Sequence, residues 1–448
     1  MTVSLADLTD RMLAAARRAG ADAADAVAVD GTALSIDVRD GRLEQAERSE
    51  GVDIGLRVLM GRRQAVVSSS DARDATIETM AERAVAMARE APEDPHAGLA
   101  DPAQLARDTD SSRLEMYDPS PEPDPGALEE DARCVEAAAR GVEGVTQVQG
   151  ATAGYGHRRI HMAASNGFSG GYERSDRAIS CVAVSGSGTG MERDWDGDSR
   201  IFQADLKSPE EIGRLAGERA VARQKPRRPR TGKYPVLFDE RISSSLIGHL
   251  LAAANGAAIA RGSSWLLGRE GSQVLPSGLS LIEEPHRPRA SGSRLFDGEG
   301  LPTAERAVVE DGVLTGWILD LATARKLGLT STGNAARGTS APPSPSVTNL
   351  RLTQGAASRE DLIAQMGTGL LGTSMIGSTI NPNTGDYSRG ASGFWVEKGE
   401  ILHPVNGCTI AGNLRDMLMT LVPANDARTH LSRIVPSLLV DGLTLAGD

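Results

Sequence analysis

The residues equipped for chemistry are few and scattered. His249 lies in ISSSLIGHLLAAANG (242–256), an apolar run with helical spacing. One imidazole cannot hold a metal, so this histidine is either core or part of a site completed elsewhere. His157 and His161 stand four apart, a good zinc spacing on a helix. Their segment reads as a strand, where four residues span ~13 Å, too far for one ion. Glu283, Glu284 and His286 (EEPHRP) offer donors beside two prolines, which mark a turn. DWDGDSRIFQAD (194–205) has the composition of a calcium loop but not its order. Ser199 stands where the turn needs glycine, and Asp205 where a bidentate glutamate belongs, so a solvated acidic loop is expected. Cys408 has His403 near in sequence, yet no neighbour lowers its pKa, and a small buried thiol is expected over a nucleophile. GSGTG (186–190) lacks the lysine and following helix of a phosphate cradle.

Two C-terminal segments stand out instead. STGNAARGTSAPPSPSVTNLRL (331–352) is a Gly/Pro/Ser-rich loop too long to be a mere connection, ending in a short strand. NPNTGDYSRGASGFWVEKGEILHPV (381–405) gathers Tyr387, Phe394 and Trp395 in a chain with only 3% aromatics. Packing of a hairpin explains that concentration as well as binding does.

The elements that must position these residues form two bodies. Apolar spacing predicts helices over 4–19, 70–91, 126–140 and 209–224, the last capped by Ser208 with Pro209 at its first position. Between them, 34–47 alternates around Asp40-Gly41, the dipeptide of a type I′ turn, and 52–69 turns near Gly61. A similar pattern at 160–185 turns at Asn166-Gly167, with Glu173-Arg174-Ser175 where Glu47-Arg48-Ser49 stood. This suggests a duplicated β-meander, 34–69 and 160–185. RQKPRRPR (223–230), broken by two prolines, reads as a solvated linker. Beyond it come hairpins through Asp311-Gly312 and Lys398-Gly399, with helices at 242–260, 358–367 and about 409–420. The expectation is an α+β chain. Its N-terminal body, 1–222, combines helices with antiparallel hairpins. A linker, 223–233, leads to a mainly antiparallel β body, 234–448, with interspersed helices.

A net charge of −12 argues against nucleic acid or an anionic membrane as partner. Three cysteines without C-x-x-C spacing fit a reducing compartment. MTVSLADLTDRMLAAARRAG lacks the layout of a signal peptide, and no apolar run approaches the ~20 residues that span a bilayer. A cytoplasmic protein is expected.

TGDYSRGASGFWVEKGEI (384–401), followed by HPVNGCTIAGNLRDM (403–417), closely resembles the signature of the PmbA (TldE) branch of the TldD/PmbA family. TARKLGLTSTGN, STGNAARG, PSVTNLRL and the N-terminal hairpins match as well, so the resemblance spans nearly the whole chain. It implies a two-body α+β chain and a cytoplasmic heteromeric zinc peptidase acting on unstructured peptides, such as leader segments or antitoxins. In that assembly a TldD-type partner supplies an H-E-x-x-x-H motif, a later cysteine and the zinc. Laying SSLIGH (244–249) over that motif leaves Ser244 and Ser245 for its first ligand and general base, with only His249 retained. RTHLSRIVPSLLV (428–440) carries no cysteine. This chain is therefore expected to hold no metal of its own, to carry no catalytic residue and to help form the peptide-binding chamber. His249 is expected in a packed helix, hydrogen-bonded. By position in the signature segments, Asn334, Thr348, Asn349, Asp386, Tyr387, Ser388 and Arg389 are the candidate substrate-binding residues. Peptide is expected to add to exposed strand edges. Two rivals remain: a homodimeric peptide-binding scaffold, and a non-metal hydrolase using Cys408.

Overall fold

The computed structural model describes residues 4–447; Met1 to Val3 and Asp448, included in the expected bodies, lie outside them. The first body is built from one element order used twice. Helix α1 (Leu5–Arg18), strands β1 (Ala23–Arg39), β2 (Arg42–Met60) and β3 (Arg63–Ser69) and helix α2 (Asp74–Glu90) form the first unit. Helix α3 (Pro125–Arg140), strands β4 (Val145–Ala164), β5 (Ser169–Ser185) and β6 (Glu192–Arg200) and helix α4 (Pro209–Ala222) form the second. All six strands are antiparallel in one sheet of order β3-β2-β1-β4-β5-β6, so the units meet at β1 and β4. The helices exist for the expected reason. Leu5, Leu8, Met12, Ala15 and Ala16 fall on one face of α1 and are buried, with Ser4 accepting the Asp7 amide as N-cap. The sheet's apolar face is shared between the units: Ala24, Ala26 and Ala28 pack with α1 and α2, whereas Leu34, Ile36 and Val38 pack with α3 and α4.

β2 runs past β3, which pairs with it only from Ile54 onward, so residues 42–51 form an exposed edge. Glu44 is left without a partner by a bulge opposite Asp37/Val38, and charges crowd the strand. Both devices discourage edge-to-edge pairing.

In the second body come strand β7 (Gly232–Phe238) and helices α5 (Glu240–Ala253) and α6 (Gly256–Ala260), then short strands β8 (Leu281–Glu283), β9 (Arg306–Glu310) and β10 (Val313–Leu314). Helix α7 (Leu321–Leu327), strands β11 (Ala335–Ala336), β12 (Ser344–Pro345) and β13 (Leu350–Leu352) and helix α8 (Arg359–Met366) follow. The signature hairpins are β14 (Gly369–Ile380), β15 (Asp386–Glu397) and β16 (Glu400–Asn413), and α9 (Leu414–Met419), β17 (Val422–Pro423), β18 (Arg433–Ile434) and β19 (Leu438–Ala446) end the chain's described part. A sheet β16-β15-β14-β7-β19-β17 closes on itself because β16 also pairs with β19, forming a barrel. Beside it lies the smaller sheet β10-β9-β8-β13-β18. Fold class is α+β, with antiparallel pairing throughout except β7 with β14 and β13 with β18.

Four expectations need correction. The helix expected at 242–260 is two helices, because Asn255 stops α5 and caps α6 through the Ala257 amide. The helix expected at about 409–420 begins only at Leu414; residues up to Asn413 are strand, paired with both β15 and β19. The acidic segment is not a solvated loop. Most of it is edge strand β6, whose period-2 alternation puts Asp194, Asp196 and Asp198 on one buried face, each against an arginine. The basic stretch is not wholly solvated either: Arg223 is buried and reaches Asp194 at 3.3 Å.

That ionic face joins the two bodies. Asp194 also meets Arg241 of α5 at 3.1 Å, and Arg241 meets Asp239. Arg223 donates to Ser392 of β15. On the far side, Arg337 of the long loop is buried against Asp25 of β1, which also holds Arg57. Gly55 admits the loop: a Cβ there would lie 2.2 Å from the Thr339 carbonyl oxygen.

Candidate functional site

Helix α5 is capped by Asp239, which accepts the Arg241 amide. Its Leu246, Ile247 and Leu250 face the core. Ser245 and His249, one turn apart, share another face. The His249 ring packs edge-on against Tyr387 of β15, with centroids 5.8 Å apart and planes at 73°. Ser245 Oγ, His249 Nε2 and the Tyr387 hydroxyl are all shielded from water, and none makes a hydrogen bond to a described residue. Arg389 follows Tyr387 on the same strand face and donates through Nε to the Gly377 carbonyl at 2.6 Å. Burial, and then the Arg389 charge, push the His249 pKa down. Burial raises the Tyr387 hydroxyl to about 12 even though Arg389 opposes it. Among the described residues the expected hydrogen bond of His249 Nε2 finds no partner, and the ring makes an aromatic contact.

The donors at this point are one imidazole and two neutral hydroxyls, beside a guanidinium. Zinc needs three or four anionic or imidazole ligands, so this set does not fit it. Among the described residues no group of three or more His, Cys, Asp or Glu side chains stands close enough to hold a metal. His157 pairs with Glu173, whereas His161 contacts Thr9 through Nδ1 at 2.9 Å, so the two histidines serve different neighbours.

The signature segments part company with surface binding in an informative way. Buried Glu283 of β8 is a hub that sequence reasoning missed. Its Oε1 accepts from Asn334 Nδ2 at 2.8 Å, the Thr348 amide at 2.6 Å and the Thr348 hydroxyl at 2.9 Å, while Oε2 accepts from Arg306 at 3.0 Å. Asn349 is likewise buried, donating to Ser293 Oγ and the Glu284 carbonyl and accepting the Gly292 amide. Asn334, Thr348 and Asn349 thus spend their polar groups bracing the long loop. The signal available in sequence was Glu283 closing the alternating, mostly apolar run LSLIE, on the inward-facing phase with Leu279 and Leu281. Asp386 is exposed and held by Thr384 and Asn413, Ser388 is half-buried, and Tyr387 and Arg389 point toward α5.

A second acidic pair lies where α7 begins. Asp297 accepts the amides of Glu299, Leu301 and Ala335. Glu299 accepts the Leu321 amide at 2.8 Å. Burial, with Asp297 and Asp320 alongside, raises Glu299 to about 8, although Arg57 opposes the rise.

Family models match almost the whole of this architecture. The PmbA/TldA metallopeptidase domain 1 matches residues 24–88, the central domain 118–224 and the C-terminal domain 231–447. The chain belongs to the PmbA/TldD family. It is 34% identical to Metalloprotease PmbA of Escherichia coli O157:H7 over 95% of this chain and 92% of that one. It is 36% identical to a Metalloprotease PmbA homolog of Haemophilus influenzae over 97% and 94%. A solved structure from Bacteroides thetaiotaomicron, described as a candidate modulator of DNA gyrase, superposes with a TM-score of 0.91 at 27% identity, covering 99% of this chain and 98% of that one. Among the described residues of this PmbA/TldD-family chain, no helix is long and apolar enough to cross a membrane.

Cys408 is buried between β15 and β16, its Sγ bonded to the Ala391 carbonyl at 3.3 Å, and burial pushes its pKa to about 11. Cys181 is pushed to about 12 by burial. Thiolate is the reactive form, so both should resist an aromatic disulfide reagent at pH 7.5 and label within seconds once urea unfolds the chain. Rapid labelling of Cys408 in the native state would reopen the nucleophile reading.

Proposed function

We propose that this chain is the PmbA (TldE)-type, non-catalytic subunit of a heteromeric TldD/TldE metallopeptidase acting on unstructured peptides. The observation that carries the reading is the donor set on α5. Ser244 and Ser245 stand where a ligand and a general base would be needed, and His249 turns to an aromatic ring. A serine hydroxyl is neutral at pH 7 and neither replaces a ligand nor accepts a proton from metal-bound water. The zinc then belongs to a TldD-type partner in the cytoplasm, and this chain contributes wall and peptide contacts. Asp386, Ser388 and Arg389 are the proposed contacts that still reach the surface. Tyr387, Asn334, Thr348 and Asn349 act through the shape of the hairpin and loop. β14 pairs with β7 only through Leu370–Gly372, so its later residues offer a free edge to an extended peptide.

The test is metal analysis and cleavage of an unstructured peptide by this chain alone, by its TldD-type partner alone and by the co-expressed pair. The expected result is less than 0.1 zinc per chain (roughly a background level for a site without ligands), no cleavage alone, and cleavage by the pair. Stoichiometric zinc and turnover in the lone chain would overturn the proposal.

A further inference from the structure

A pocket of about 300 Å³ lies between the two bodies, lined by residues other than His249 and Tyr387. The segment entering it from the second body carries His430; the same segment pairs Arg428 with Glu240 at 2.6 Å and lays Arg433 against Gly248. Three guanidinium groups, those of Arg174, Arg200 and Arg289, wall the pocket. Their situations differ. Arg200 is neutralised by Asp198 at 2.9 Å, and Arg289 is shared between two carboxylates, Glu115 and Asp205, at 2.7 and 3.0 Å. Arg174 has no carboxylate partner among the described residues. It donates to the carbonyls of Ser291 and Ser293, lies 4.7 Å from the Tyr172 ring centre, and leaves its Nε shielded and unpartnered. Burial lowers its pKa, and the neighbouring Arg294 and Arg158 charges push the same way.

A half-buried cation with a shielded, unpartnered Nε and no counterion carries a desolvation cost, and an anion supplied from outside would offset part of it. The pocket is fitted to receive one. The hydroxyls of Ser199 and Ser432 line it without hydrogen bonds to described residues, and Arg200 and Arg289 keep donors beyond those their acids occupy. Arg289 is held at φ 53°, a left-handed backbone that a side chain this large rarely adopts, with its guanidinium 3.9 Å from the Phe202 ring centre. Asp176, exposed at the rim, repels any anion and a dianion about twice as strongly as a monoanion, which favours the lower charge.

We infer that this interdomain pocket binds a carboxylate monoanion, the free C-terminus of a short peptide, through Arg174 with Arg200, Arg289 and the Ser199 and Ser432 hydroxyls. Guanidinium groups match a planar carboxylate by paired, charge-assisted hydrogen bonds. The site requires no metal and no partner chain, so its test stands apart from that of the subunit reading.

The experiment is isothermal titration of the full chain, alone, with N-acetyl-trialanine as the free acid, with its C-terminal amide, and with inorganic phosphate at pH 7.5. The free acid should bind saturably at one site, with the amide and phosphate at least ten-fold weaker. Ser432→Ala, which leaves the Arg174 carbonyl contacts and the Arg200–Asp198 pair in place, should weaken the acid several-fold at unchanged Tm. Arg200→Gln should weaken it several-fold with a lowered Tm, because buried Asp198 loses its arginine partner; Arg174→Gln should abolish binding. Equal binding of acid and amide, wild-type affinity in Arg200→Gln, absence of saturable acid binding, or a preference for phosphate would each overturn the inference.

Discussion

Replacing Glu283 with alanine should lower the unfolding free energy by about 3–5 kcal/mol, the range for breaking a buried charge pair and orphaning its donors. The carboxylate accepts four hydrogen bonds, two from the Thr348 residue alone, and it neutralises Arg306. Removal strands an amide, a hydroxyl, a carboxamide and a guanidinium in a site where Asn334 and Leu350 are almost wholly buried. Because the same donors anchor the 331–352 loop, proteolysis within that loop should accelerate in parallel. Urea unfolding gives the first number, and limited trypsinolysis at Arg337 the second. Glu283→Gln should fall between wild type and alanine, since its amide keeps one acceptor and turns a donor toward Thr348 or Arg306. A Glu283→Ala protein within 1 kcal/mol of wild type (roughly the scale of an ordinary surface change) would refute the hub.

Replacing Glu299 with glutamine should do the opposite, raising stability at pH 8 by about 2–4 kcal/mol, a figure discounted for partial exposure of the side chain. The sign follows from proton linkage. Glu299 titrates at about 8 in the folded chain and at the ordinary 4.5 when unfolded, so the native state binds the extra proton between those values. Stability from this group is whole below about pH 4.5, declines as pH rises, and is gone above about 8. Glutamine mimics the protonated acid and can still accept the Leu321 amide. Unfolding free energies from pH 5 to 8.5 should therefore fall for wild type and flatten for Glu299→Gln, with the curves meeting near pH 5. Parallel curves would show that Glu299 ionises normally.

Much of this architecture could be read from local chemistry. Asp40-Gly41, Asp311-Gly312 and Lys398-Gly399 all adopt positive φ at both residues, as their hairpins require. Ser208 caps the helix it was expected to cap. Those features depend on neighbours a few residues away. The features that escaped depend on distant partners. Asp194 and Asp196 look like a solvated run until Arg223, Arg241 and Arg219 arrive from other elements, and Asp198 until His430 does. Residues 409–413, Thr-Ile-Ala-Gly-Asn, are mostly weak helix formers that find two strand neighbours, so the helix waits until Asn413 caps it. For the candidate site, the position of His249 on a packed helix was legible. The ring of Tyr387 was not, because β15 lies far along the chain. Asn334, Thr348 and Asn349 were conspicuous for position, and their polar groups prove to be committed inward.

The closure of the barrel carries a consequence for how the chain is made. β7, the first strand of the second body, takes β19 as one neighbour, and β19 also zips β16. A ribosome releases β7 long before β19, so its edge must stay unsatisfied, or be shielded by a chaperone, until synthesis is nearly complete. The first body waits less: β1 needs β4, α3 and α4 to cover its second edge and its apolar residues, but all of these lie within the first 222 residues. Translation order therefore favours an N-terminal half that folds as it emerges and a C-terminal half that snaps shut at release.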